Sequence, residues 1–238
     1  MKSQLKNKTK ITIQAILIRL LDILFSSLAI IVFLPFLLLI MLILKLTGEH
    51  DIFYKQKRVG RYGKEFNLLK FATMLRNSPD LPGGIFTEKN DPRMLPIGRF
   101  LRKTKINELP QLLNIFIGQM SVVGYRPLMR ISYDKYSDET KNKLYEKKPG
   151  LSGIGSIVFR NEEAIINKVK DKETFYKDII MPYKGELESW FAERHHIINY
   201  FKIIFATVFV IVKPKLKVWK KMFKNLPAVP KELEEYLV

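Results

Sequence analysis

Between Ile23 and Leu44 the chain carries no charged residue, and cations stand on both sides of that run. A helix of roughly twenty apolar residues is long enough to cross a bilayer core. Lys2, Lys6, Lys8, Lys10 and Arg19 precede the run, and Lys45, Lys55, Lys57, Arg58 and Arg61 follow it. The positive-inside rule holds both flanks in the cytoplasm, which a straight crossing does not satisfy. Pro35 lies mid-run, where it removes a backbone hydrogen bond and bends a helix. The run is too long for a signal-peptide core and no small-residue cleavage site follows, so it reads as a retained anchor. The expected form is re-entrant: a helix that enters, bends at Pro35 and returns, with Ser26 and Ser27 supplying back-bonds inside it. The competing form is a straight transmembrane helix that tolerates the proline.

Charge extends the membrane argument. Forty-one Lys and Arg oppose 23 Asp and Glu, a net charge of +18. Such a surplus implies a polyanionic neighbour: nucleic acid, an anionic membrane or phosphorylated substrates. The apolar residues gather near the N-terminus and again after residue 196, with cations flanking both clusters, which favours an anionic membrane. No zinc-finger, homeodomain or RNA-recognition pattern is present, so nucleic acid is not an expected partner. The absence of cysteine excludes disulfides and thiolate metal sites. Ile203 to Val212 is apolar but too short to cross. The basic stretch after it, with Trp219 and Phe223, suits a headgroup layer; a core helix with a solvated basic tail reads equally well.

Between these ends, Asp51–Gly60 and Lys64–Phe71 read as two strands joined by the turn Gly60-Arg-Tyr-Gly63. A helical turn is expected at Thr73-Met74-Leu75, then a long loop over Asn77–Pro92. Ser137-Asp138-Glu139 opens a capped helix that Pro149-Gly150 ends. Leu151–Ser156 reads as a Gly-rich turn segment. Asn161–Lys170 and Lys172–Trp190 read as helices, the second broken near Pro182. His195 and His196 are adjacent, so they point apart on a helix and do not form a metal pair.

The chemistry concentrates in Thr104–Ser121. Ile106, Leu109, Leu112, Leu113 and Phe116 recur at helical spacing. Pro110 is tolerated only in a first turn, so the helix is expected to begin near Asn107 and Glu108 and to stop at Gly118. An amide and a carboxylate at a helix N-terminus, with Arg99, Arg102, Lys103 and Lys105 upstream and Arg126 downstream, suggest a phosphate- or metal-handling site. The plainer reading is an Asn cap on a core helix.

Several segments, in order, resemble the bacterial sugar transferases of the monotopic phosphoglycosyl transferase family. They are Phe53–Gly60, Leu69-Lys70-Phe71, Ile97–Thr104, Asn107-Glu-Leu-Pro-Gln111, Met120–Gly124, Arg126-Pro127 and Lys148–Gly153. The resemblance implies transfer of a sugar-1-phosphate from a nucleotide sugar to polyprenol phosphate, initiating membrane glycan assembly at the cytoplasmic face of the bacterial inner membrane. It implies a route in which an Asp attacks the sugar-bearing phosphate and the lipid phosphate then collects the phosphosugar, with Mg2+ and an adjacent Glu in support. That logic is sound, because phosphoryl transfer needs positioning and charge neutralisation, a carboxylate can serve as nucleophile, and Mg2+ takes few protein carboxylates.

The chain departs from this pattern where it matters most: the family's Asp-Glu pair is here Asn107-Glu108. A neutral amide offers a carbonyl to Mg2+ but attacks phosphorus poorly. Three readings stay open. Glu108 is the nucleophile, with Asn107 a cap or metal ligand; the acceptor phosphate attacks directly; or the chain is a catalytically silent scaffold among glycan-assembly enzymes. Ala72, Thr73 and Tyr125 also depart from the usual residues. Glu108, Asn107 and Lys70 are the expected catalytic residues, with Glu108 and Asn107 as metal ligands. Arg99, Arg102, Arg126 and Pro127 are expected on the phosphates, and Pro35, Ser26, Ser27 and Trp219 in the membrane. Asp91 is a lesser candidate for the missing carboxylate. The expected fold is α+β and mostly helical, with a Pro-bent re-entrant helix, a small β-hairpin and amphipathic interfacial helices. The expected divisions are an anchor over 1–46, a catalytic domain over 47–200 and a basic amphipathic segment over 201–238.

Overall fold

The computed structural model describes residues 2–81, 91–213 and 216–237. It is mostly helical, with short strands. Helix α1 spans Lys2–Leu46 and runs through Pro35. Its burial is uneven. Ile18, Asp22 and Ser26 are buried, as are Ile40 and Leu44, while residues 31–36 are all exposed. Helical spacing puts 18, 22 and 26 on one face. Ser26 donates to the carbonyls of Asp22 (2.6 Å) and Ile23 (3.2 Å), the back-bonding expected of it.

The hairpin is as expected. Strands β1 (Phe53–Val59) and β2 (Glu65–Phe71) pair antiparallel around a 3-10 turn at Arg61–Gly63. The register sets Tyr54 opposite Lys70 and Arg58 opposite Phe66, so Arg58 and Lys70 share a face. Thr73–Leu75 is not helical: Met74 forms a β-bridge with Met94. The expected long loop falls largely on residues 82–90, outside the described residues.

Helix α2 is Gly98–Lys103 and α3 is Gln111–Phe116. The expected helix start at Asn107 is corrected here. Lys105 is left-handed (φ 62°), Ile106–Glu108 form a 3-10 turn, and α3 begins only after Pro110. Pro110 has no N–H to donate, so the chain closes the local bonds Glu108 N–H to Lys105 O and Leu109 N–H to Ile106 O instead. Gly118 ends the helix as expected, at φ 89°.

Strand β3 (Ser121–Val123) pairs in parallel with β4 (Gly150–Ser152). Between them lie α4 (Arg130–Tyr133) and α5 (Asp138–Tyr145), the latter capped by Ser137, whose side chain accepts from Thr140 N–H. The segment expected to be a turn is β4 followed by α6 (Ile154–Val158). Then come α7 (Glu162–Ile166) and α8 (Lys172–Phe175). A π-helical stretch at Tyr176–Ile180 joins α8 to α9 (Met181–Glu193) where a break near Pro182 was expected. The chain closes with α10 (Ile197–Val212), α11 (Val218–Met222) and α12 (Lys231–Leu237).

The main core joins Val123, Ile154, Leu187, Tyr200, Ile203, Trp219, Phe223 and Leu233. The C-terminal segment therefore packs into the same core as the middle of the chain. Trp219 is 5% exposed, so it is not a headgroup anchor; burial of its large apolar ring in this core outweighs the basic residues around it. His195 is also a packing residue: its ring lies edge-on to Phe191, and burial lowers its pKa to about 4.

Candidate functional site

The hairpin, the 3-10 turn and the segment after β3 converge on Glu108. Its Oε1 accepts from Arg126 Nη2 at 2.9 Å and lies 3.8 Å from Lys70 Nζ. The side chains of Lys70 and Glu108 are largely buried, at 16% and 14% exposure, while Arg126 retains 40%. Burial pushes the Glu108 carboxyl up, but the charges of Arg126 and Lys70 and the hydrogen bond from Arg126 together hold it well below the carboxylate range. Burial pulls Lys70 down to about 7; Glu108 opposes that shift, while Arg126, Arg58 and Arg102 reinforce it. Arg126 is raised, chiefly by Glu108.

Glu108 and Arg126 line a cavity of about 740 Å³, and Lys70 reaches it only through its contact with Glu108. One wall is polar: Arg58, Arg102, Lys105, Glu108, Arg126 and Pro127. The residues that α10 contributes to the lining include the apolar or weakly polar Ile204, Thr207, Val208 and Ile211. The lining also carries Ser156, Arg160, Glu162, Tyr176 and Lys184, with Lys184 Nζ 2.7 Å from Glu162 Oε2. Glu188, not itself in the lining, is 6% exposed and accepts the backbone N–H groups of Gly155 and Arg126, two residues that do line it. Burial raises Glu188 to about 7, with Lys184 and those two bonds working against the shift.

The expected site residues separate here. Lys70, Glu108 and Arg126 come together. Arg102 and Pro127 line the cavity, and Asn107, 8% exposed, adjoins Glu108 with its Oδ1 buried and unpartnered. Arg99 is exposed and is not among the cavity residues. Asp91 is occupied elsewhere: both its oxygens accept from Arg93, at 2.8 and 2.6 Å, so it does not replace the missing carboxylate. Arg58 was not expected in the site. It donates to Pro127 O at 3.3 Å and to Gln56 Oε1 at 2.7 Å, and burial beside Arg126 lowers it to about 10. Period-two alternation from a turn at residues 60–63 puts Arg58 on the face of Lys70, a signal present in the sequence. The Lys184–Glu162 pair and Glu188 had no such signal.

No group of three or more metal-ligating side chains occurs among the described residues. One carboxylate and one orphaned amide oxygen are nevertheless the kind of donor set that suits Mg2+, which draws most of its ligands from phosphate and water.

Residues 13–214 match the family model described as bacterial sugar transferase. An uncharacterized sugar transferase of Haemophilus influenzae is 33% identical over 223 residues, covering 88% of this chain and 44% of the relative. The exopolysaccharide production protein ExoY of Rhizobium meliloti is 36% identical over 162 residues, covering 62% and 71%. The UDP-glucose:undecaprenyl-phosphate glucose-1-phosphate transferase of Klebsiella pneumoniae is 34% identical over 196 residues, covering 80% and 39%. The chain thus spans less than half the length of the first and third of these relatives.

Proposed function

The chain belongs to the bacterial sugar transferase family, and from that premise we propose that it moves a sugar-1-phosphate from a nucleotide sugar to polyprenol phosphate. The carrying observation is the cavity: a carboxylate held among cations on one wall, with apolar α10 residues on the other. Cations neutralise two approaching phosphates, and an apolar wall suits an isoprenoid tail. The K. pneumoniae relative is named for transfer from UDP-glucose to undecaprenyl phosphate, the same class of donor and acceptor.

In this reading Arg126, Arg58 and Arg102 bind and orient the phosphates. Both cation contacts of Glu108 fall on Oε1, so Oε2 is the attacking oxygen. It forms a bond to the sugar-bearing phosphorus, and the bond from that phosphorus to the bridging oxygen breaks. Nucleoside monophosphate leaves with the oxygen and the electron pair. Lys70, with its depressed pKa, hydrogen-bonds the leaving phosphate. An oxygen of the lipid phosphate then attacks the same phosphorus, and the Glu108 carboxylate leaves. Asn107 Oδ1 and Glu108 would hold Mg2+, which when bound supplies charge neutralisation across the donor phosphates.

The membrane half of the proposal rests on surface character. Phe100, Leu113, Phe116, Ile117, Phe205, Val208 and Phe209 are exposed apolar residues on or beside α2, α3 and α10. With the exposed centre of α1 they support interfacial seating on one leaflet, the cytoplasmic face of the inner membrane.

The test uses the full chain in liposomes with polyprenyl phosphate, given UDP-glucose and then a wider set of nucleotide sugars. Nucleoside monophosphate is released, and Glu108→Gln lowers release by about a hundredfold or more. Intact-protein mass after donor alone shows a phosphosugar adduct that Glu108→Gln lacks. Release without an adduct replaces the covalent route with direct attack by the lipid phosphate. No release from any donor by folded protein leaves the silent scaffold.

A further inference from the structure

Helix α1 is joined to the catalytic segments by polar bonds from two residues at the edge of its uncharged run. Arg19 lies three residues before Asp22 on the same side of α1. Its Nη1 donates to Ile115 O and its Nη2 to Phe116 O, each at 2.7 Å. Those carbonyls lie in the last turn of α3, at the negative end of its dipole, and Ile115 O also accepts from Gly118 N–H at 3.0 Å. Asp22 is 2% exposed. Its Oδ1 accepts from Ser121 Oγ, Val122 N–H and Tyr200 OH, each at 2.9 Å.

A carboxyl buried as Asp22 is, beside an apolar run, is costly unless its bonds are made. The partners that Arg19 and Asp22 take are informative. α3 begins three residues after Glu108, and Val122 lies four residues before Arg126. Tyr200 lies on α10, which supplies the apolar cavity wall. One turn of α1 therefore addresses the segments that carry both halves of the Glu108–Arg126 pair, and the wall facing them. Ile23, the first residue of the uncharged run, directly follows Asp22.

We propose that Arg19 and Asp22 are positioning residues that fix the depth of the catalytic cavity against the bilayer, so that a lipid-borne phosphate arrives level with Glu108. The inference rests on the proposed transfer activity but makes a separate claim: α1 registers the site rather than merely tethering it. A small error in that register lowers transfer to an acceptor confined in the membrane, while an acceptor free in water still finds the site.

The experiment compares wild type, Arg19→Met, Arg19→Lys and Asp22→Asn, each full length in liposomes. One arm measures kcat/KM for long-chain polyprenyl phosphate in the bilayer and for geranyl phosphate in solution. Arg19→Met and Asp22→Asn lose about tenfold or more with the long-chain acceptor and less than about threefold with geranyl phosphate, and Arg19→Lys recovers part of the loss. Equal losses with both acceptors mark a merely structural role and overturn the proposal, as does no loss with either. The second arm needs no activity. The chain has no cysteine, so Ile117→Cys accepts a single fluorophore beside the Arg19 contact. Quenching by shallow and deep doxyl lipids reports one preferred depth in wild type, a preference Arg19→Met and Asp22→Asn lose. Unchanged quenching overturns the proposal even where no transfer is detected, whereas changed quenching without transfer in wild type points to failure of the functional reading instead.

Discussion

Two buried groups titrate near neutrality beside the cavity, and their signs oppose. Glu188 is raised from 4.5 to about 7, chiefly by burial. The folded protein then holds a proton that the unfolded chain has lost. Its stabilising contribution is complete below about 4.5 and disappears as pH rises through 7. Lys70 is lowered from 10.5 to about 7, so its cost is complete below 7 and is relieved as pH rises toward 10.5. Chemical unfolding in detergent therefore shows different profiles for two variants. Relative to wild type, Glu188→Gln gains stability between pH 4.5 and 7, by on the order of 2 kcal/mol. Lys70→Met gains stability at pH 7, and that gain shrinks toward pH 10. His195 rises in contribution between pH 4 and 6.5 in every variant, so it cancels in the differences. A Glu188→Gln difference that is flat with pH refutes the titration. Lys70 was expected in the site from the resemblance that Leu69-Lys70-Phe71 carries. Glu188 was not, because what singles it out is the backbone of Arg126, 62 residues away, a separation that follows from 188 and 126.

At the scale of elements, the hairpin and α5 were readable because their signals are local: a Gly-bounded turn in one, a Ser cap with first-turn acids and a closing Pro-Gly in the other. The parallel pair β3–β4 was not, since nothing near Ser121 announces Gly150. The close approach explains the glycines. A Cβ on Gly150 would sit 2.0 Å from Gly124 N, and one on Gly124 would sit 2.5 Å from Lys148 O. These are backbone contacts, so no side-chain rotation relieves them. Gly153, in the stretch expected to be a turn, is packed the same way, since a Cβ there would sit 2.2 Å from Gly124 O, and Gly124 lies two residues ahead of Arg126. Gly150→Ala forces β3 and β4 apart and costs about 3 kcal/mol or more. Thermal unfolding in detergent checks it; a loss under about 0.5 kcal/mol, the range of a neutral surface change, shows that the strands do not need this contact. The 3-10 turn at Glu108 has a similar lesson. Helical spacing ran through Pro110, but the missing N–H divided the pattern, so Glu108 sits among side-chain cations and not at the start of α3.

For the whole molecule the question is where α1 leaves the membrane. Asp22 and Leu44 are 22 residues apart, about 33 Å along a straight helix, close to the thickness of a bilayer core. A straight crossing puts them on opposite faces. Yet Asp22 bonds to Ser121, Val122 and Tyr200, and Leu44 packs with Phe71 and Leu101. A straight crossing would draw Phe71, Leu101 and their charged neighbours Lys70 and Arg102 through hydrocarbon, a cost of several kcal/mol for each charge. A bend at Pro35 would avoid that cost: residues 31–36 are an unbroken exposed run of the helix and would enter the leaflet as its apex. The cations on both flanks would then share one compartment, as the positive-inside rule requires. The chain's lack of cysteine makes the consequence measurable. Thr12→Cys and His50→Cys, both at exposed positions, react with an impermeant maleimide from the same side of sealed vesicles, the side from which Tyr62→Cys reacts. Ile31→Cys reacts from neither. Labelling of Thr12→Cys only from the side opposite Tyr62→Cys would mean that α1 crosses the bilayer, and the contacts of Asp22 and Leu44 with one domain could not then coexist in a membrane.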